Sequence, residues 1–259
     1  MLYEEFLPHP ALRSIVECYW CVRGNSKDFW TVFPDACMDI LYNFGSFIES
    51  RNDERRPRDE GSELSRNTAF VIGNMFTPIQ SRSVGYTDLF GIRFHAAGMG
   101  RILRVPLAEF NDASLSLKEV YNIAPEAAQL QPLTMQERVN MLDRWMLKHI
   151  AFSSKPEAWE FCLNKIVARS GIINIYDLSR EVGISQKQME RKFIEKVGPT
   201  PKQFAQLLKF RKLREHLAHR KDESLANIAT DFDFVDHAHL TKFFKKFSGI
   251  TPTEFQNGL

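Results

Sequence analysis

Hydrophobic residues change their spacing near residue 150 of this 259-residue chain. Before that point, apolar and more polar positions alternate over residues 38–44 and 92–95, which predicts β-strands with one buried face. Residues 12–19 instead follow the spacing of an amphipathic helix, so a short helix is predicted there. Residues 134–150 begin with a Thr-x-x-Glu capping box and keep their apolar side chains on one side, which predicts a longer helix.

These patterns predict an α+β chain of two domains. The first, over residues 1–152, is a β-rich, barrel-like domain with flanking helices, and it ends with the helix at 134–150. The second, over residues 153–259, has helical spacing throughout and is predicted to be all-α. Each domain is long enough to bury a hydrophobic core of its own.

The second domain contains a repeat. The stretches RKFIEKVGPTPKQF (residues 191–204) and KFFKKFSGITPTEF (residues 242–255) lie 51 positions apart and share phenylalanine, glycine, threonine and proline at the same places. Each includes Thr-Pro-x-Gln or Thr-Pro-x-Glu, a capping box with proline at the first helical position. The repeat therefore builds the same helix end and helix start twice.

Each copy also has the pattern of two helices joined by a tight turn, over residues 174–198 and 224–249. Gly183 can supply the left-handed backbone that such a turn needs, while Ser185 and Asp236 are placed to cap the second helix of each pair. A helix of roughly 18 residues, about 27 Å long, joins the copies. That length suits the ~34 Å between successive major-groove faces of DNA, but a plain helical bundle with a repeated cap has the same pattern.

The two copies resemble the C-terminal domain of the AraC/XylS family of bacterial transcription regulators, which has two helix-turn-helix units joined by a long helix. The segments DLSREVGISQKQMERKFIEKVGPTPKQF and IATDFDFVDHAHLTKFFKKFSGITPTEF carry this resemblance, which covers about residues 160–257. It implies a sequence-specific transcription regulator, not an enzyme, with two recognition helices in successive major grooves of double-stranded DNA. The further partners that it implies are a small-molecule effector, a second copy in a homodimer, and RNA polymerase.

The resemblance also implies roles for individual side chains. The base-reading candidates are Lys187, Glu190 and Arg191 in the first unit and His237, His239, Thr241 and Lys242 in the second. A good contact from lysine or arginine to guanine contributes roughly 1–3 kcal/mol of discrimination. The candidates for phosphate contact are Lys192, Thr200, Lys245, Lys246 and Thr251. Asp233 stands in the second turn where the family usually has glycine, and aspartate tolerates a left-handed backbone less well than glycine does.

The charge of the chain is unevenly distributed. Residues 160–259 carry 17 Lys and Arg against 12 Asp and Glu, whereas the preceding residues carry 17 against 20. The moderate positive excess of the second part agrees with binding to a polyanion.

The first domain resembles the β-rich N-terminal region of one poorly characterised branch of the family, through VFPDACMDILYNF and LFGIRFHAAGMGRILRVPLAEF. Family members usually carry a sensing or dimerising domain at this position. The aromatic candidates for an effector pocket are Trp20, Trp30, Phe33, Tyr42 and Phe44. The same side chains suit an ordinary hydrophobic core, and the sequence leaves the two interpretations open.

The cysteines suggest an alternative function. Cys18-x-x-Cys21 and Cys37 are candidate metal ligands, and DNA-repair proteins with a related DNA-binding domain hold zinc on four cysteines and accept a methyl group on one. A structural zinc site needs four ligands, and the fourth cysteine, Cys162, falls on the apolar stripe of a helix. We therefore predict no metal or other cofactor. A zinc- or thiol-based sensor or alkyl acceptor attached to a DNA-binding domain is the alternative.

The remaining sequence features argue against enzymes and membrane proteins. No glycine-rich phosphate loop and no nucleophile motif occurs. No signal peptide and no apolar run of 18 residues is present, and four unevenly spaced cysteines suit a reducing compartment. The sequence therefore predicts a cytoplasmic non-enzyme without a membrane partner.

Overall fold

The computed structural model describes residues 1–51, 64–103, 105–121, 123–150, 156–220 and 223–258. Strands fill the first part of the described chain and helices fill the second, which confirms the predicted α+β class. The predicted domain boundary, between residues 152 and 153, lies outside the described residues. Within the described ranges, no helix is both long enough and apolar enough to cross a membrane.

The first domain consists of two antiparallel sheets. Its strands are β1 (Leu2–Phe6), β2 (Val16–Asn25), β3 (Trp30–Val32), β4 (Met38–Asn43), β5 (Ile48–Arg51), β6 (Thr68–Ile72), β7 (Ile79–Ser83), β8 (Tyr86–Phe94) and β9 (Ser114–Ser116). The larger sheet has the order β1-β2-β8-β4-β6-β9, and the smaller has the order β3-β7-β5. No strand pairing among the described residues joins the two sheets. They therefore stay open, and the expectation of a barrel-like domain is corrected to two separate sheets.

The α-helices begin directly after β9 and continue almost to the end of the described chain. They are α1 (Leu117–Val120), α2 (Ala127–Leu130), α3 (Met135–His149), α4 (Ala158–Ala168), α5 (Ile175–Val182), α6 (Gln186–Lys196), α7 (Pro201–His219), α8 (Leu225–Asp231), α9 (His237–Ser248) and α10 (Pro252–Asn257). Short 3₁₀ turns lie at Pro10–Leu12, Met99–Arg101 and Leu107–Phe110. The predicted capping box of α3 is confirmed, since the backbone N–H of Thr134 donates to Glu137 Oε2 at 2.8 Å.

The larger sheet has two different faces because side chains alternate along each strand. On one face, Ile40 and Tyr42 of β4 are fully buried in a core to which α3 also contributes. On the other face, Leu41 belongs to a smaller cluster that includes Trp20 and Trp30. The alternation predicted over residues 38–44 therefore separates a packed core from a second, more open side.

The prediction of a helix over residues 12–19 is wrong. This segment contains the 3₁₀ turn Pro10–Leu12 and the start of β2. The pairing of β2 with β8 shifts register between Val16 and Cys18, as at a β-bulge. The shift brings Val16 and Tyr19, three residues apart, to the same buried core, and this spacing imitates a helix.

The second domain has one core shared by both halves of the repeat. Phe193 of α6, Phe210 of α7 and Phe244 of α9 are fully buried in it. Phe210 lies 5.3 Å from Phe244 between ring centroids, so the long helix α7 is packed directly against the second unit. The core thus holds both helix pairs on α7.

Candidate DNA-binding surface and interdomain cavity

The first helix-turn-helix unit consists of α5 and α6. Gly183 has a φ of 72° in the left-handed region, as the sequence predicts. Ser185 Oγ accepts a hydrogen bond from the backbone N–H of Gln188 at 3.2 Å, which confirms the predicted cap of α6. These two local features fix the sharp change of direction between the helices.

The second unit, α8 and α9, has the same arrangement although its turn lacks glycine. Asp233 adopts a φ of 52°, and its carbonyl oxygen accepts a hydrogen bond from Lys209 Nζ of α7 at 3.3 Å. The Lys209 ammonium also lies 3.9 Å from the centre of the Phe234 ring. Asp236 Oδ1 accepts from the backbone N–H of His239 at 2.7 Å, so α9 has its predicted cap.

The predicted base-reading residues lie on the second helix of each unit. On α6 these residues are Lys187, Glu190 and Arg191, and all three are exposed. Their side chains make no ion pair or hydrogen bond with any other residue that the structure describes. On α9 the exposed candidates are His237, His239 and Lys242. Thr241 is half-buried, and its hydroxyl donates to the carbonyl of His237 at 2.8 Å. The three candidates on α6 are therefore free to contact DNA, whereas the hydroxyl of Thr241 on α9 is already hydrogen-bonded within its own helix.

The predicted phosphate-contacting lysines differ in their surroundings. Lys245 and Lys246 are exposed near the end of α9, and Lys246 Nζ donates to Gln206 Oε1 at 3.2 Å. Lys192, in contrast, forms an ion pair with Glu157 at 2.9 Å. This hydrogen-bonded pair holds the pKa of Glu157 below its usual value. A phosphate at Lys192 would have to compete with that carboxylate.

The two threonine-capped helix starts also differ. Thr200 and Gln203 form the predicted capping box at the start of α7, with a neutral amide as the partner. At α10 the partner is Glu254, whose carboxylate accepts from the backbone N–H of Thr251 at 2.6 Å. This hydrogen bond holds the pKa of Glu254 below its usual value. The start of α10 therefore carries a negative charge of its own, which disfavours phosphate there relative to α7.

A cavity of about 550 Å³ lies on the open side of the larger sheet. Of the aromatic residues predicted to form an effector pocket, Trp20, Trp30 and Phe33 line it. Tyr42 and Phe44 do not, because strand alternation directs them to the core, where their rings stack with centroids 6.2 Å apart. The pocket expectation is corrected for these two residues.

One end of the cavity is charged, a feature that sequence reasoning missed. Arg93 pairs with Asp35 at 3.1 Å and with Asp39 at 3.3 Å. Asp39 Oδ1 also accepts from Trp20 Nε1 at 2.8 Å. Burial raises the pKa of the Asp39 carboxyl, and Arg93 opposes that rise. These charges are scattered in the sequence, and only strand pairing brings them together.

Helix α7 reaches this charged end from the second domain. Arg211 Nη2 pairs with Glu17 Oε1 at 2.8 Å, and Arg211 Nη1 lies 3.3 Å from Cys37 Sγ. Burial by itself would raise the pKa of Glu17, but the hydrogen bond and charge of Arg211 outweigh it and lower the pKa. Arg214, one turn further along α7, lines the cavity itself. The helix that carries both helix-turn-helix units is thus joined to the first domain by an ion pair.

The end of α6 is joined to the first domain by two asparagines. Asn74 Nδ2 donates to the carbonyl of Val197 at 2.9 Å, and Asn111 Nδ2 donates to the carbonyl of Gly198 at 3.0 Å. Gly198 has a φ of +104°, and a Cβ there would lie 2.9 Å from Asn111 Oδ1. The close approach therefore requires glycine. Isolated asparagines carry no periodic signal, so this contact could not be predicted from the sequence.

The cysteines are not arranged around a common point. Cys18 and Cys21 lie on opposite faces of β2, because residues three apart on a strand alternate, and Cys162 is fully buried in the helical core. Burial raises the pKa of the Cys37 thiol well above its usual value and that of Cys18 to about 12, which disfavours the reactive thiolate. No group of three or more His, Cys, Asp or Glu side chains in the described residues is placed to hold a metal.

Comparison with known proteins agrees with this architecture. Residues 178–258 match the family model described as "Helix-turn-helix domain", and residues 4–116 match a domain of unknown function, DUF6597. No curated protein sequence matches the chain.

Solved structures with the same overall arrangement include ToxT from Vibrio cholerae. One ToxT structure is 12% identical over 93% of this chain and 98% of ToxT, with a TM-score of 0.50. ToxT bound to (E)-4-(8-methylnaphthalen-1-yl)but-3-enoic acid is 12% identical over 92% and 98%, also with a TM-score of 0.50. The xylose-binding transcription activator XylR is 20% identical over 51% of this chain and 39% of its own, with a TM-score of 0.34. At this identity the likeness to ToxT shows a common fold.

The paired units and the matched domain model define a DNA-binding transcription regulator of the helix-turn-helix class. Within that class, the matched domain has two units joined by one long helix, which is the arrangement that the sequence's resemblance to the AraC/XylS family implies.

Proposed function

We propose that this regulator binds a specific DNA sequence by placing α6 and α9 in successive major grooves. The observation that carries the proposal is that two recognition helices of the same local geometry, each with exposed basic side chains, are packed on the single helix α7. A 19-residue helix is roughly 28 Å long, close to the ~34 Å repeat of the major groove. The two units would then read one face of the duplex.

Substitutions on the two recognition helices test this assignment. Arg191→Ala removes a candidate base contact and should weaken the preferred site by roughly 1–3 kcal/mol while affecting random DNA little. Lys246→Ala removes a candidate phosphate contact, so it should weaken both DNAs and lower the salt slope by about 1. Fluorescence anisotropy at several salt concentrations measures both effects.

A charge-matched control is Lys118→Ala, since Lys118 is a highly exposed lysine of α1 in the first domain. It should leave binding and its salt dependence unchanged. Equal loss of specific and random binding in Arg191→Ala would remove Arg191 from the base-reading set. An unchanged salt slope in Lys246→Ala would remove Lys246 from the phosphate-contacting set.

We further propose that a small-molecule effector in the interdomain cavity gates DNA binding. The cavity has the volume typical of small-molecule sites and is lined by both domains, through Trp20 and Arg214 for example. ToxT, with the same fold, has been solved with a small organic acid bound. An occupant of the cavity would contact the helix that carries both units, so it could alter their placement. A ligand that binds without changing DNA affinity would refute gating.

A further inference from the structure

Arg214 lines the cavity and has no anionic partner among the residues that the structure describes. It is half-buried, and its guanidinium makes no hydrogen bond or ion pair with any residue in the described part of the chain. Its guanidinium carbon lies 5.5 Å from the centre of the Phe33 ring. Burial lowers the pKa of Arg214, and Asp35, which is not within ion-pair distance, opposes that change. A half-buried arginine of this kind is stabilised by an anion placed against it.

Among the described residues, the three carboxylates that line the cavity already accept hydrogen bonds, and Asp112 does so through Oδ1 from the backbone N–H of Phe76 at 2.9 Å. Asp39 accepts hydrogen bonds from Trp20 and from Arg93 on both of its oxygens. Asp35 pairs with Arg93 through Oδ2 and accepts from the backbone N–H of Cys37 through Oδ1 at 3.0 Å. A cationic ligand would therefore have to displace Arg93, whereas an anionic ligand would find the guanidinium donors of Arg214 free.

The rest of the cavity wall is mostly apolar. Two indole rings, Trp20 and Trp30, and aliphatic side chains such as Leu41, Ile72 and Leu89 line it. This surface suits an aromatic or aliphatic body without additional charges, since a second buried charge would lack a partner.

We propose that the cavity binds a small apolar monoanion, such as an aromatic monocarboxylate, whose carboxylate pairs with Arg214 while its apolar body lies against Trp20 and Trp30. This inference names the chemical class of the effector and rests on the proposed function of the cavity. Arg214 is three residues from Arg211, which already pairs with Glu17 across the domains. The bound ligand adds a second link between α7 and the first domain, through an ion pair with Arg214 at one end and apolar contact with Trp20 and Trp30 at the other.

Isothermal titration calorimetry of the full chain with three matched probes tests the proposal. The probes are 1-naphthaleneacetate, its neutral amide, and the cationic 2-(1-naphthyl)ethylamine. The carboxylate should bind at least tenfold more tightly than the amide, and the amine more weakly than both. In Arg214→Gln the preference for carboxylate over amide should disappear, while Arg214→Lys should retain part of it.

Lys212→Gln is the matched control, because Lys212 is an exposed cation of the same helix that pairs with Glu215 at 3.8 Å and does not line the cavity. It should keep the full preference for the carboxylate. Equal binding of carboxylate and amide, an unchanged preference in Arg214→Gln, or no binding of any probe would overturn the proposal. Thermal unfolding of each variant checks that it is folded.

The same samples separate this inference from the proposed function. DNA binding is measured in parallel on a selected site, with and without each probe. If the neutral amide binds as well as the carboxylate and still changes DNA affinity, gating stands and the anionic class is refuted. If the carboxylate binds through Arg214 but DNA affinity does not change, the ligand class stands and gating is refuted.

Discussion

The substitution Gly198→Ala adds one methyl group at the contact between the end of α6 and the first domain, and so tests how much this contact stabilises the protein. Gly198 has a φ of +104°, which L-residues rarely adopt, and its carbonyl accepts a hydrogen bond from Asn111. A Cβ at this position would lie 2.9 Å from Asn111 Oδ1, 3.0 Å from Asn74 Nδ2 and 3.1 Å from the carbonyl oxygen of Leu107. The substitution therefore strains the backbone and separates both asparagines from the end of α6.

The expected loss of stability combines two effects. The backbone conformation costs about 1–2 kcal/mol for an L-residue. The two asparagine hydrogen bonds contribute about 1 kcal/mol each, and more where the amide of Asn74, 2% exposed, is left without a partner. Gly198→Ala should thus lower the free energy of unfolding by about 3–5 kcal/mol.

Gly183→Ala is the control, because it places an L-residue in a left-handed backbone conformation without disturbing any neighbouring contact. Gly183 also has a positive φ, of 72°, but a Cβ there would meet no atom within 4 Å. It should cost only about 1–2 kcal/mol. Urea unfolding followed by tryptophan fluorescence measures both variants. Equal losses in the two variants would refute the claim that the asparagine contacts stabilise the protein.

Two further predictions concern the second turn and the interdomain ion pair. Asp233→Gly should raise the free energy of unfolding by about 0.5–1 kcal/mol, because the φ of 52° suits glycine better than aspartate. The hydrogen bond from Lys209 to the backbone carbonyl of residue 233 is kept in this variant. A lower melting temperature in thermal unfolding would contradict this prediction. The pKa of Glu17 is held below its usual value of 4.5, so its ion pair with Arg211 stabilises the protein above that pH and is lost as the pH falls through the lowered pKa. Glu17→Gln should therefore be less stable than the natural chain at pH 7, with a difference that shrinks below pH 4.5; a difference independent of pH would show that Glu17 acts by packing alone.

The second domain was predictable because its determinants are local. Ser185, Asp236 and the Thr-Pro capping boxes each act within four residues of the chain, and a repeat presents them twice. Even the left-handed turn at Asp233 could be anticipated by comparing the two copies. Local chemistry therefore sufficed for both helix-turn-helix units.

The first domain was only partly predictable, because its cavity depends on contacts between distant residues. The alternation of apolar residues identified β4 but not the strands that pair with it. The sequence therefore could not show that Trp20 lines the cavity while Tyr42 and Phe44 lie in the hydrophobic core. The bulge after Val16 made a strand look helical. Arg93 and Arg214 are ordinary arginines in the sequence, and only the packing of two domains brings both to one cavity.

The most direct test of the central claim, that two units read two grooves, is in vitro selection from a random duplex library with the full chain at near-physiological salt. If α6 and α9 read successive grooves, selection should enrich an asymmetric motif of roughly 20 base pairs with two half-elements about one helical turn apart. Arg191→Ala should weaken selection of one half-element, and Lys242→Ala should weaken selection of the other. A motif with a single half-element, or two half-elements that both weaken in the same variant, would contradict the claim.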